Sequence, residues 1–169
     1  MADHPRDEDV PVLQLMREAR DVYREAIRQR LESAGSDDIP RNATLVLASL
    51  DHESSECVFS PQADVVARLG LSKQMASQLI DTLVVRNYLE RRSDPLDRRR
   101  MEVRLTARGR AAATAIQGAI DAVETEVASL ISPRELAGLR AGLAAYRRVH
   151  KQRTHETELQ RARSFGGEC

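Results

Sequence analysis

Three consecutive arginines, Arg98, Arg99 and Arg100, follow the turn-forming run Ser93-Asp94-Pro95-Leu96-Asp97. Cationic side chains on a turn project free of a packed surface and can enter a DNA minor groove, whose negative potential attracts arginine. Asp97, two residues before Arg99, is placed to hold that guanidinium by a charge-assisted pair. A second polar set lies upstream: Ser72, Lys73, Gln74, Ser77 and Gln78. Glutamine pairs bidentately with adenine, lysine reaches guanine, and serine hydroxyls serve phosphates or either base type. Each set alone is ordinary, since amphipathic helices have polar outer faces and arginine runs are commonly solvated surface.

The elements that must position them give the two sets a common meaning. Met75, Ala76, Leu79, Ile80 and Leu83 recur at helical spacing, which turns Lys73, Gln74, Ser77, Gln78 and Asp81 outward. Ser72 can cap this helix, predicted to run to about residue 86. Upstream, Ser60-Pro61 reads as an N-cap with proline at the first helical position. That helix carries Val65, Val66 and Leu69 inward and ends at Gly70. Two helices joined by so tight a glycine turn form a helix-turn-helix. Asn87 stands where a left-handed residue is wanted, a conformation asparagine tolerates. Tyr88–Arg92 and Met101–Leu105 then alternate as strands, so the arginines sit at the tip of a hairpin, a wing.

Helices flank this module. Val12, Leu15, Met16, Ala19, Val22, Tyr23, Ala26 and Ile27 predict one over 11–33, stopping at Ala34-Gly35-Ser36. A shorter one covers 41–51. Thr106 can cap a long helix carrying Ile116, Ile120, Val123, Val127 and Leu130. Ser132-Pro133-Arg134-Glu135 is a capping box opening another, with Leu136, Leu139, Leu143 and Tyr146. The tail beyond about 152 is polar and aperiodic and is expected to fray. The fold class is mainly α with a small β-wing: a winged helix-turn-helix over 41–106, set between dimerisation helices at 12–40 and 107–152. A flexible arm at 1–11 and a polar tail at 153–169 complete the division. One chain offers the module too little surface to cover every apolar helix face. Pairing the terminal helices across a two-fold axis would bury them and set two reading helices roughly 34 Å apart.

Composition agrees with a helical core. Hydrophobic residues make up 41% and aromatics only 3%, with no tryptophan, so the core must be aliphatic. The net charge is zero, but its distribution is uneven: residues 1–40 hold six arginines against ten acids, and 61–110 hold eleven Lys plus Arg against six acids. Local field rather than total charge steers a protein toward phosphate. Cys57 and Cys169 make neither a disulfide framework nor a metal motif. His52, Glu53, Glu56 and Cys57 could be drawn as a metal or redox cluster, although a polar loop accounts for them as well. The histidines have no metalloprotease spacing and no glycine-rich phosphate loop appears, so neither an enzyme, a cofactor nor a metal is expected. No apolar run approaches the roughly 18 residues needed to span a bilayer, and none resembles a signal peptide. The expected setting is the cytoplasm.

Taken together, Leu71-Ser72-Lys73-Gln74, Gln78-Leu79-Ile80-Asp81-Thr82-Leu83, Tyr88-Leu89-Glu90-Arg91-Arg92, Asp94-Pro95-Leu96-Asp97-Arg98-Arg99 and Leu105-Thr106-Ala107-Arg108-Gly109 resemble the MarR (multiple antibiotic resistance regulator) family. The D-P-x-D-R-R wing followed by L-T-x-x-G is specific to that family. The likeness is sharp over about 60–110 and rests on helix order alone over 12–150. It implies a triangular homodimer that binds a pseudo-palindromic operator in double-stranded DNA, a ligand-responsive repressor in its commonest form. Each subunit would lay the helix over 72–86 in a major groove and its wing in the flanking minor groove. Arg99 matches the minor-groove arginine and Asp97 the acid that orients it. Asn87 stands where the family usually has glycine, and Gln78 where it often has a basic residue. Family effectors, often phenolic or amphipathic, bind between the reading lobe and the dimer helices, where Tyr23, Arg41 and Arg108 could line a site. Members that sense peroxide carry their cysteine in the first helix, and this sequence has none there. The competing reading is a winged helix serving protein interaction or DNA architecture without operator recognition.

Overall fold

Charge pairs at helical spacing build α1 (Val12–Ser33). Gln14 donates to Glu18, and Arg28 is shared between Glu25 and Glu32, contacts that support a helix through its exposed face. The helix stops in a Schellman motif. Gly35 adopts φ +64°, Ser36 N–H donates to Leu31 O at 2.9 Å and Gly35 N–H to Glu32 O at 3.0 Å, a closure that glycine makes without steric cost. The computed structural model describes residues 9–51, 60–61, 65–66, 72–94 and 96–165. The His52, Glu53, Glu56 and Cys57 group, the Gly70 turn and Cys169 lie outside the described residues.

After α1 come α2 (Thr44–Asp51), β1 (Ser60–Pro61), α3 (Lys73–Val85), β2 (Leu89–Ser93), β3 (Met101–Leu105), α4 (Ala107–Leu130) and α5 (Pro133–Phe165). The three strands form one antiparallel sheet in the order β1-β3-β2, with Arg91 opposite Val103 and Ser60 also opposite Val103 on its other side. Ser60-Pro61 is therefore an edge strand and not the start of a helix as its residue types suggest. Proline lacks the N–H that an inner strand would need, and an edge position tolerates that loss. Val65 and Val66, placed on that expected helix, are helical; residues 62–64 and 67–71 lie outside the described residues.

Residues 1–123 and 124–169 are two compact units. In the first, Leu31, Val46, Leu47, Leu50, Ile80, Leu83, Tyr88, Leu89, Val103, Ala112 and Ile116 bury together as an aliphatic core, with Tyr88 the one aromatic ring among the described residues of that cluster. Asn87 is left-handed at φ 59°, as its position after α3 demands. Thr106 caps α4: its Oγ1 accepts from Gly109 N–H at 3.0 Å and donates to Asn87 O at 2.7 Å. Gly109 lies so close to the chain before β2 that an added Cβ would fall 1.9 Å from Tyr88 O. The L-T-x-x-G run thus fastens the hairpin stem to α4.

In the second unit the capping box forms as expected. Glu135 Oε2 accepts from Ser132 N–H at 2.8 Å, and Glu135 N–H donates to Ser132 Oγ at 3.3 Å. The Ser132 hydroxyl, also a donor to this carboxylate, holds Glu135 below its ordinary pKa. The helix that follows runs to Phe165, well beyond the end expected near 152. Polar composition removes the apolar period but not helix propensity, and no glycine or proline interrupts residues 143–165. No helix among the described residues is long and apolar enough to cross a membrane.

Candidate nucleic-acid interface

Helix α3 is set by its cap and its stripe. Ser72 Oγ accepts from Met75 N–H at 3.2 Å, and Ala76, Leu79, Ile80 and Leu83 are buried. Ser72, Lys73, Gln74 and Gln78 are exposed, with Ser77 half-buried. Two expectations change. Met75 lies at the margin of the apolar stripe and is 46% exposed, so it joins the outward face. Asp81 is not a free outward acid: its Oδ1 accepts from Arg91 Nη1 at 2.7 Å, tying α3 to the hairpin. The Nε and Nη2 of Arg91 are buried without a hydrogen-bond partner, which makes Asp81 the acid on which this cation depends.

On the hairpin stem, register pairs cations with anions. Arg92 faces Glu102 and Arg104 faces Glu90. Both pairs close as salt bridges, Arg92 Nε lying 3.0 Å from Glu102 Oε2. The tip beyond Ser93↔Met101 is different. Asp97 was expected to orient the Arg99 guanidinium, but its Oδ1 accepts from the backbone N–H of Arg99 at 3.0 Å. An aspartate two residues upstream reaches the nearer amide before it can reach the end of a long side chain, the geometry of an Asx-turn. Its other oxygen lies 3.9 Å from Arg100 Nε. Arg98, Arg99 and Arg100 are exposed, and among the described residues Arg98 and Arg99 have no side-chain partner. Stem arginines are thus neutralised in place, while the tip presents unspent positive charge.

Of the three residues suggested for a small-molecule site, Arg41 lines a cavity. It is about 270 Å³, between α1 and the segment before α2, with Ile27, Leu31 and Ile39 as apolar wall and Arg24, Arg28 and Arg41 among its charged lining. Glu25, also in the lining, is held down at about 2 by hydrogen bonds from Arg28 and Gln29. Tyr23 is half-buried on α1 and outside this lining. Arg108 belongs to another cluster that residue types alone did not disclose. Its Nη2 donates to Asp38 Oδ1 at 3.0 Å and its Nη1 to Arg86 O at 2.9 Å, and its guanidinium stacks 4.3 Å above the Tyr88 ring. Tyr88 Oη donates to the same Asp38 oxygen at 2.5 Å. That bond, more than Arg108, keeps the Asp38 carboxyl below its ordinary value, and burial pushes the Tyr88 phenol up. The one sequence signal for this cluster was the glycine at 109, which fits only where Tyr88 passes close. No group of three His, Cys, Asp or Glu among the described residues could hold a metal ion.

Comparison with known proteins matches this geometry. A family model described as the MarR family covers residues 37–100. The fold is that of Staphylococcus aureus MepR in complex with DNA (TM-score 0.67, 23% identity, 80% of this chain and 96% of that one). It is likewise that of a MarR family transcription regulator (TM-score 0.68, 19% identity, 86% and 89%). S. aureus MepR bound to ethidium bromide also matches (TM-score 0.52, 22% identity, 82% and 95%). No curated protein sequence matches the chain.

Proposed function

We propose, from the likeness of residues 37–100 to the MarR family model, that the chain is a ligand-responsive repressor of that kind, reading a pseudo-palindromic operator as a homodimer. In this reading Lys73, Gln74, Ser77 and Gln78 meet base edges in the major groove. Ser72 serves a phosphate, and Arg98, Arg99 and Arg100 enter or flank the minor groove. Asp97 acts on the backbone of the tip. The observation that carries the reading is the sorting of cations on the hairpin: paired along the stem, with Arg98 and Arg99 exposed and unpaired at the tip.

Dimerisation is supported by apolar surface that a single chain leaves in water, with Val12, Leu13, Leu15 and Val22 exposed on α1 and Leu139, Leu143, Tyr146 and Val149 on α5. The effector seat is the cavity beside α1, where Arg41 supplies a cation next to an apolar wall. The MepR complex with ethidium bromide supports small-molecule binding on this fold. The test is a mobility-shift titration on the DNA flanking the chain's own gene, with Gln74→Ala and Arg99→Ala. Each variant should weaken binding by about tenfold or more, the cost of one lost base or groove contact. Unchanged affinity in both would sink operator reading.

A further inference from the structure

The wing tip carries one side chain that the reading above leaves unused. Leu96 is 97% exposed, and the backbone around it is braced. Leu96 N–H donates to Asp94 Oδ1 at 2.7 Å and Asp97 N–H to the same oxygen at 3.3 Å. Asp94 N–H to Arg100 O at 2.9 Å and Arg100 N–H to Asp97 O at 2.8 Å close the tip. Both tip acids serve the tip's own amides, and the leucine is held out from the hairpin. Its apolar surface contributes nothing to the fold and leaves water only when another molecule covers it.

Its neighbours decide what that molecule is. Arg98 and Arg99 follow Leu96 on the same tip and are exposed, so a polyanion is the surface that meets it. An apolar side chain carried into the minor groove beside arginines acts as a wedge that partly unstacks a base step. Pyrimidine–purine steps yield most readily, whereas A-tracts are stiff. We propose that Leu96 is a specificity-determining residue: it wedges at a deformable pyrimidine–purine step, so that the wing selects step flexibility while Arg99 supplies the attraction. The proposal rests on the DNA reading above.

Two duplexes of identical composition separate the effects: alternating poly(dA-dT), which contains TA steps, and poly(dA)·poly(dT), which has none. Affinities of the full chain are measured on both against salt. The wild type should prefer the alternating duplex by on the order of tenfold or more, the scale of one covered leucine. Leu96→Ala should bring the ratio close to one without changing the salt slope, and Leu96→Met should restore it. Arg99→Ala should weaken binding to both duplexes and lower the slope by about one. A ratio retained in Leu96→Ala, or absent in the wild type, overturns the wedge while leaving DNA reading intact. Absence of salt-dependent binding to either duplex overturns both. Because Leu96 is exposed, its truncation leaves the core untouched, and matching melting curves verify this.

Discussion

Gly109 and Tyr88 show how one position can govern the joint between the wing and the helices. A Cβ at 109 would overlap the Tyr88 carbonyl oxygen at 1.9 Å, and neither backbone can move without disturbing the Thr106 cap. Gly109→Ala should therefore destabilise the fold by about 1–3 kcal/mol, the usual cost of overpacking, read as a lower denaturant midpoint at unchanged slope. Asp38 adds a pH dependence. Its folded pKa lies below its ordinary 3.8, so the stabilisation is present above that value and is lost as pH falls through the depressed one. Acid titration of stability should flatten in this window in Asp38→Asn, and an unchanged profile would remove Asp38 from the account. Sequence exposed Gly109 as part of a motif but not its reason, because Asp38, Tyr88 and Arg108 meet only in three dimensions.

At the scale of elements, the hairpin and α3 are tied together because Asp81 holds Arg91, so the proposed reading would use them as one unit. Asp81→Ala strands a partly buried cation, with an expected stability cost of about 1–3 kcal/mol, and should weaken DNA binding while the salt slope stays constant. A change in slope would instead mean that Asp81 or Arg91 acts through phosphates. Helix starts were legible because caps are local: Ser72, Thr106 and Ser132 each hydrogen-bond within three residues. Ser60-Pro61 was misread for the same reason. A cap-and-proline dipeptide looks helical locally, and its strand pairing with Val103 and Glu102 is a contact across forty residues. The end of α5 escaped because apolar period marks what a helix buries and not where it stops.

For the whole molecule, the apolar faces of α1 and α5 were legible as surplus surface, but a sequence cannot say what covers them. A second copy of the chain is the expected cover. Sedimentation at micromolar concentration should give a dimer, and Leu139→Glu with Leu143→Glu should shift it toward monomer and cost operator affinity. A monomeric wild type would contradict this assembly. Should the pairing form, two wings would flank two reading helices one turn apart. Hydroxyl-radical footprinting of the DNA flanking the gene, with wild type and Arg99→Ala, tests that arrangement most directly. The account predicts two protected major-groove half-sites about 10 base pairs apart, flanked by minor-groove protection that Arg99→Ala alone erases. Identical footprints from both proteins, or none from the wild type, would contradict it.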